Sequence, residues 1–137
     1  MSAVKAYFDT NIFVYLYSDT EFLKRQKALD ALNQYGRVIS TQVLNEFCNV
    51  CIRKTKMDKS AIEAAVMKIC SVCKVAVITE ATIRKALKIH GKYGYSYYDS
   101  LMVASALDSG CQLLVSEDMS DNQIIEGVLT IKNIFKP

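Results

Sequence analysis

The sequence predicts an α/β fold, a three-layer α/β/α sandwich around a mostly parallel central sheet. Short apolar segments alternate with longer helical patterns along the chain, the pattern of strand–helix–strand crossovers. At 137 residues and 51% hydrophobic content, with one Pro and five Gly, the chain is expected to form a single domain over residues 1–137, with no flexible linker. Acidic residues recur where these elements should reach one edge of the sheet, and they carry the functional argument.

The elements follow in order. Residues 3–8 (AVKAYF) read as a strand that stops at Asp9-Thr10-Asn11. Thr10 or Asn11 is placed to cap the helix beginning NIFVYLY. Residues 20–35 read as a helix with Leu29, Leu32 and Tyr35 on one side and Gly36 as the stop. A short strand is expected over 37–40 (RVIS), then a helix over 41–55. A second helix over 58–73 opens at Asp58 or at a capping box from Ser60 to Glu63. Residues 74–78 (KVAVI) are β-branched and short, so they read as a strand. A helix over 79–92, broken by the glycines at 91 and 94, precedes a helix over 97–109 that ends at Gly110. A strand over 111–116 (CQLLVS), a polar loop over 117–123 and a last strand near 128–132 complete the chain.

Four acids stand at informative places: Asp9 at the end of the first strand, Glu46 in the second turn of its helix, Asp99 in the first turn of its helix, and Asp118 just after a strand. In a parallel sheet with crossover helices, strand carboxyl ends and helix N-termini share one edge, so all four face one region. Capping explains Asp9 or Asp99 singly. It does not explain Glu46, which shares a helix face with Val43 and Val50, as Asp99 does with Val103 and Ala106. Carboxylates crowded together repel and need a cation. An all-oxygen donor set selects Mg²⁺ or Mn²⁺, one ion or two, and such ions suit phosphodiester chemistry.

Other chemistries are poorly supplied. One histidine, His90, rules out a two-histidine acid–base nuclease, and its place on the Ile83–Leu87 stripe suggests packing. No Gly-rich phosphate loop or nucleophile elbow is present. Cys48-x-x-Cys51 and Cys70-x-x-Cys73, eighteen residues apart, match a zinc-ribbon spacing. They fall on helical stripes without turn glycines, so all five cysteines are expected to be buried free thiols. With no export signal or membrane-spanning run visible, reduced thiols and a cytoplasmic location are expected. A net charge of +3 permits a polyanionic partner without arguing for one. Basic groups at Lys24-Arg25-Lys27, Arg53 to Lys59 and Arg84 to Lys92 could hold a nucleic-acid backbone, and Tyr93, Tyr95, Tyr97 and Tyr98 could stack bases. Solvated helix faces and core packing are the plainer readings.

The motifs Phe8-Asp9-Thr10-Asn11, Asn45-Glu46-Phe47, Tyr95-Ser96-Tyr97-Tyr98-Asp99-Ser100-Leu101 and Leu114-Val115-Ser116-Glu117-Asp118, in this order, resemble a PIN domain of the VapC toxin type over nearly the whole chain. The resemblance implies a PIN-like fold and a Mg²⁺- or Mn²⁺-dependent endoribonuclease. It also implies a homodimer with a cognate antitoxin whose tail occupies the active-site groove. Asp9, Glu46, Asp99 and Asp118 would be the metal ligands, supported by Thr10 or Asn11 and by Ser96. Glu117, Asp121 and Asn122 compete with Asp118 for the last position. The alternative function is a non-catalytic PIN-like module that binds RNA or protein.

Overall fold

The computed structural model describes residues 4–137. Its elements are β1 (Lys5–Phe8), α1 (Thr10–Leu16), α2 (Phe22–Gln34), β2 (Gly36–Ser40), α3 (Thr41–Lys54), α4 (Lys59–Val72), β3 (Lys74–Ala76), α5 (Glu80–Tyr93), α6 (Tyr97–Asp108), β4 (Leu113–Val115), β5 (Ile124–Ile125) and β6 (Leu129–Lys132). The sheet order is β3-β2-β1-β4-β6-β5, parallel throughout except for β5, which runs antiparallel to β6. Ala3, expected to open the first strand, lies outside the described residues.

The chain builds outward from β1 to β2 and β3, then crosses back to place β4 on the other side of β1. Right-handed crossovers therefore set α1–α4 on one face and α5–α6 on the other. The contacts agree: α1 packs on α2 and α3, α3 on α4, and α5 on α6. Tyr7, Phe8, Ile39, Leu114 and Ile131 of the inner strands are fully buried, as both faces of a covered parallel sheet require.

Several expectations are corrected. Asp9, not Thr10 or Asn11, caps α1, accepting from the Thr10 N–H at 2.6 Å. Asp58 caps α4 without the Ser60–Glu63 box. The buried face of α2 is Ala28, Ala31 and Leu32, while Leu29 is exposed. Likewise α5 buries Thr82, Ala86 and Ile89 and exposes Ile83, Leu87 and His90, whose Nδ1 meets the Tyr95 carbonyl oxygen. In both helices small residues make up most of the buried face, Ala28 and Ala31 beside Leu32 in α2 and Thr82 and Ala86 beside Ile89 in α5, so several larger apolar side chains are left outside. α5 also runs through Gly91 and stops only at Gly94, which is left-handed at φ 77°. The strand β5 was not expected. It is two residues long, and its turn uses left-handed Glu126 (φ 52°) and Gly127 (φ 71°). Finally, Cys51, Cys73 and Cys111 are buried, Cys48 is half-buried and Cys70 is exposed, all as free thiols. Burial pushes the Cys73 and Cys111 thiols up to about 11.

Candidate metal centre

The strand order reverses between β1 and β4, since the chain leaves β1 toward β2 and returns to its other side at β4. In open parallel sheets a crevice forms at this switch point, at the carboxyl ends of the strands. Asp9 directly follows β1, and Ser116 to Asp118 directly follow β4. The pairing of Phe8 with Val115 sets Asp9 beside Ser116. The Asp9 N–H donates to the Val115 carbonyl at 3.0 Å, and the Ser116 hydroxyl donates to Asp9 Oδ2 at 2.8 Å. Both carboxylate oxygens of Asp9 are thus oriented, one by Thr10 and one by Ser116.

α3 begins immediately after β2, with Ser40 accepting from the Gln42 N–H at 3.2 Å, so its first two turns stand over the same edge. Glu46 Oε1 accepts from the Thr10 hydroxyl at 2.9 Å, and Glu46 Oε2 accepts from Gln42 Nε2 at 2.9 Å. Gln42 Nε2 also donates to the Tyr98 carbonyl at 3.0 Å, joining α3 to the start of α6. There Ser96 caps the helix, accepting from the Asp99 N–H at 3.2 Å. From the far side, Asp118 Oδ2 accepts from Asn11 Nδ2 at 3.2 Å.

The carboxylates feel one another. Burial, reinforced by Glu46 and Asp99, pushes Asp9 up to about 6 despite the opposing hydrogen bonds from Ser116 and Thr10. Burial also raises Asp99, with added repulsion from Asp118 and Glu46. The acids converge without closing: among the described residues, no three His, Cys, Asp or Glu side chains stand ready to hold one ion. Asp9, Glu46 and Asp118 are instead each held by their own hydrogen bonds. The donor set is nonetheless all oxygen, which fits a hard divalent cation that would offset the repulsion.

The competitors for the last position sit elsewhere. Glu117 pairs with Lys24 Nζ at 2.7 Å and accepts from the Tyr15 hydroxyl. Burial raises its carboxyl, but those hydrogen bonds outweigh burial and hold it below the usual range. Asp121 accepts from the Asn133 N–H at 2.8 Å, and Asn122 donates its own N–H to the Ile131 carbonyl at 2.8 Å. Asp118 is the acid after β4 that remains beside Asp99. Two contributors escaped the sequence reading. Ser116 was legible only as part of a strand-end motif. Gln42 was not singled out, although its place four residues before Glu46 is the spacing of a helix-face partner.

The sequence model of the PIN domain matches residues 6–120. No curated protein matches the sequence. Among solved structures, a toxin–antitoxin complex from Klebsiella pneumoniae aligns with a TM-score of 0.74 at 19% identity, covering 97% of this chain and 100% of that one. VapC20 of Mycobacterium tuberculosis, described as a sarcin–ricin-loop-cleaving toxin, aligns with a TM-score of 0.66 at 19% identity, covering 80% and 87%. VapBC2 of Rickettsia felis, bound to a DNA fragment from its promoter, aligns with a TM-score of 0.68 at 15% identity, covering 95% and 100%. The family match takes in β1 through the loop that follows β4, the two strand ends that meet at the switch point, and on it the chain belongs to the PIN domain family.

Proposed function

We propose that the chain is a Mg²⁺- or Mn²⁺-dependent endoribonuclease and the toxin of a toxin–antitoxin pair. The observation that carries this reading is the convergence of Asp9, Glu46, Asp99 and Asp118, from four separate elements, on one switch-point crevice. The similarity to VapC20, described as an RNA-loop-cleaving toxin, supports the same reading. A divalent ion held by these acids would supply activation of water and neutralisation of phosphodiester charge. The chain's own residues orient the set. Thr10 serves Asp9 through its N–H and Glu46 through its hydroxyl, Ser116 fixes Asp9, and Asn11 holds Asp118. Asp118 is exposed, while Asp99 and Glu46 are half-buried. His90 lies on the exposed face of α5 and takes no part. The antitoxin-bound neighbours from Klebsiella and Rickettsia support a cognate antitoxin as partner, and a homodimer is expected with it. Among the described residues no helix is long and apolar enough to cross a membrane.

One observation favours the second reading, a non-catalytic module that binds RNA or protein: the acids do not close on a single point. RNA cleavage with EDTA, Mg²⁺ or Mn²⁺ separates the two. A nuclease cuts only with the metal, and Mn²⁺ raises its melting temperature. In Asp99→Asn, cleavage and toxicity fall by at least about a hundredfold while the fold survives, because one repelling charge is removed. Full activity in Asp99→Asn, or no response to Mn²⁺, sinks the metal-centre reading.

A further inference from the structure

Gln42 and Glu46 border not only the acidic crevice but also a groove of about 510 Å³ between α3, the start of α6 and the segment after β3. Its walls carry the exposed amides of Asn45 and Asn49 and the ring of Tyr98, while Ile78 and Leu101 give it apolar surface. Gln42, Asn45, Glu46 and Asn49 fall at i, i+3, i+4 and i+7, so one face of α3 supplies the whole polar wall. Tyr98 is 65% exposed, which sets it apart from its neighbours in the tyrosine run. The Tyr93 and Tyr95 hydroxyls are engaged by Glu126 and Gln123, and Tyr97 is half-buried with its ring edge-on to Tyr98. Gln42 is only 6% exposed, yet its Oε1 has no hydrogen-bond partner while its Nε2 donates twice.

Among the described residues no lysine or arginine lines the groove, and Glu46 stands at its border, so it repels phosphate. Amides that both donate and accept, an open aromatic face and apolar surface suit a flat, neutral, hydrogen-bonding ring. We propose that this groove is a nucleobase subsite. It takes the unpaired base of a nucleotide next to the scissile phosphodiester, stacked on Tyr98 and read along its edge by Asn45 and Asn49. The proposal rests on the ribonuclease reading and deepens it. A base reaches the groove only when it is free of a duplex. The bases Asn45 and Asn49 accept set the sequence preference at that position.

The test is binding of a labelled, unpaired oligoribonucleotide, followed by fluorescence anisotropy in Ca²⁺, with Mn²⁺ thermal shifts as an independent measure of the acidic site. Tyr98→Ala is expected to weaken binding about tenfold, and Tyr98→Phe to stay within about twofold of the parent. One abasic position, found by scanning the oligonucleotide, reproduces the loss, and at that position Tyr98→Ala costs nothing more. The Mn²⁺ shift stays the same in both variants, which separates loss of the subsite from damage to the fold. Tyr98→Ala binding like the parent, or indifference to every abasic position, overturns the subsite while the ribonuclease reading stands. Loss of affinity for a basic peptide but not for RNA assigns the groove to a protein partner and overturns it as well. If the parent chain neither binds nor cuts unpaired RNA, the ribonuclease reading falls and the subsite with it.

Discussion

Burial and two neighbouring acids hold the Asp9 carboxyl at about 6, against an ordinary value of 3.8. An acid raised in the folded state binds its proton more tightly there than in the unfolded chain. The contribution of Asp9 to stability is therefore greatest below about 4, falls as the pH rises through the window up to about 6, and stays reduced above it. The shift corresponds to a cost of about 3 kcal/mol at neutral pH. Without divalent metal, the melting temperature should drop between pH 4 and 7, and Asp9→Asn should flatten that slope. Mn²⁺ should stabilise the parent chain more at pH 8 than at pH 5, because it competes with the proton for the same oxygens. A melting profile that is flat across this range in the parent would contradict the burial assigned to Asp9. At this scale the sequence was legible for a physical reason: a carboxylate next to apolar sequence is costly, so Asp9, Glu46 and Asp99 stood out. It could not separate Asp118 from Glu117, because only the folded chain brings Lys24 and Tyr15 to Glu117 from across the sequence.

The loop after β4 is fastened on both sides. Asp9 and Ser116 tie its start to β1, and Glu117 ties it to α1 through Tyr15 and to α2 through Lys24, whose ammonium also lies 4.9 Å from the centre of the Tyr15 ring. The Glu117, Tyr15 and Lys24 part of this clamp fastens the residue before Asp118 from outside the crevice. Because Lys24 is partly exposed, the ion pair adds only about 0.5 kcal/mol to stability. Its consequence should instead appear in metal binding. Glu117→Gln is expected to weaken Mn²⁺ binding about tenfold, read from thermal shifts across a Mn²⁺ titration, with little change in the metal-free melting temperature. An unchanged Mn²⁺ affinity would show that the loop holds Asp118 without help from Glu117. The elements were legible where long apolar stripes or strong caps mark them, as in α3 and α4. They were misread where small residues make most of the buried face, as in α2 and α5, and where a two-residue strand leaves no periodicity, as in β5. α6 is buried nearly all round from Ser100 to Ala106, so it has no polar side against which the position of Asp99 could be judged.

Across the whole molecule, the site depends on the order in which strands are laid down. Periodicity shows that strands alternate with helices but is silent on their lateral order, so the sequence placed the acids at one edge without locating the reversal between β1 and β4. That reversal brings Asp9, from the first strand, beside Ser116, more than a hundred residues later, at the carboxyl edge where such sheets leave a crevice. The same arrangement restricts the chemistry. The single histidine lies outside the crevice, and among the described residues no lysine or arginine is hydrogen-bonded to Asp9, Glu46, Asp99 or Asp118. The crevice thus offers no histidine pair to deprotonate an RNA 2′-hydroxyl and protonate the leaving oxygen, and on the proposed reading metal-activated water is the nucleophile. Water should attack phosphorus in line and displace the 3′-oxygen, so cut RNA should carry a 5′-phosphate and a 3′-hydroxyl. Activity should vanish in EDTA, return with Mg²⁺ or Mn²⁺, and remain poor with Ca²⁺, whose looser coordination orients the reacting oxygens less strictly. End-group analysis of the products decides this. A 2′,3′-cyclic phosphate formed in metal-free buffer would mean that the 2′-hydroxyl is the nucleophile and that the four acids do not carry the reaction.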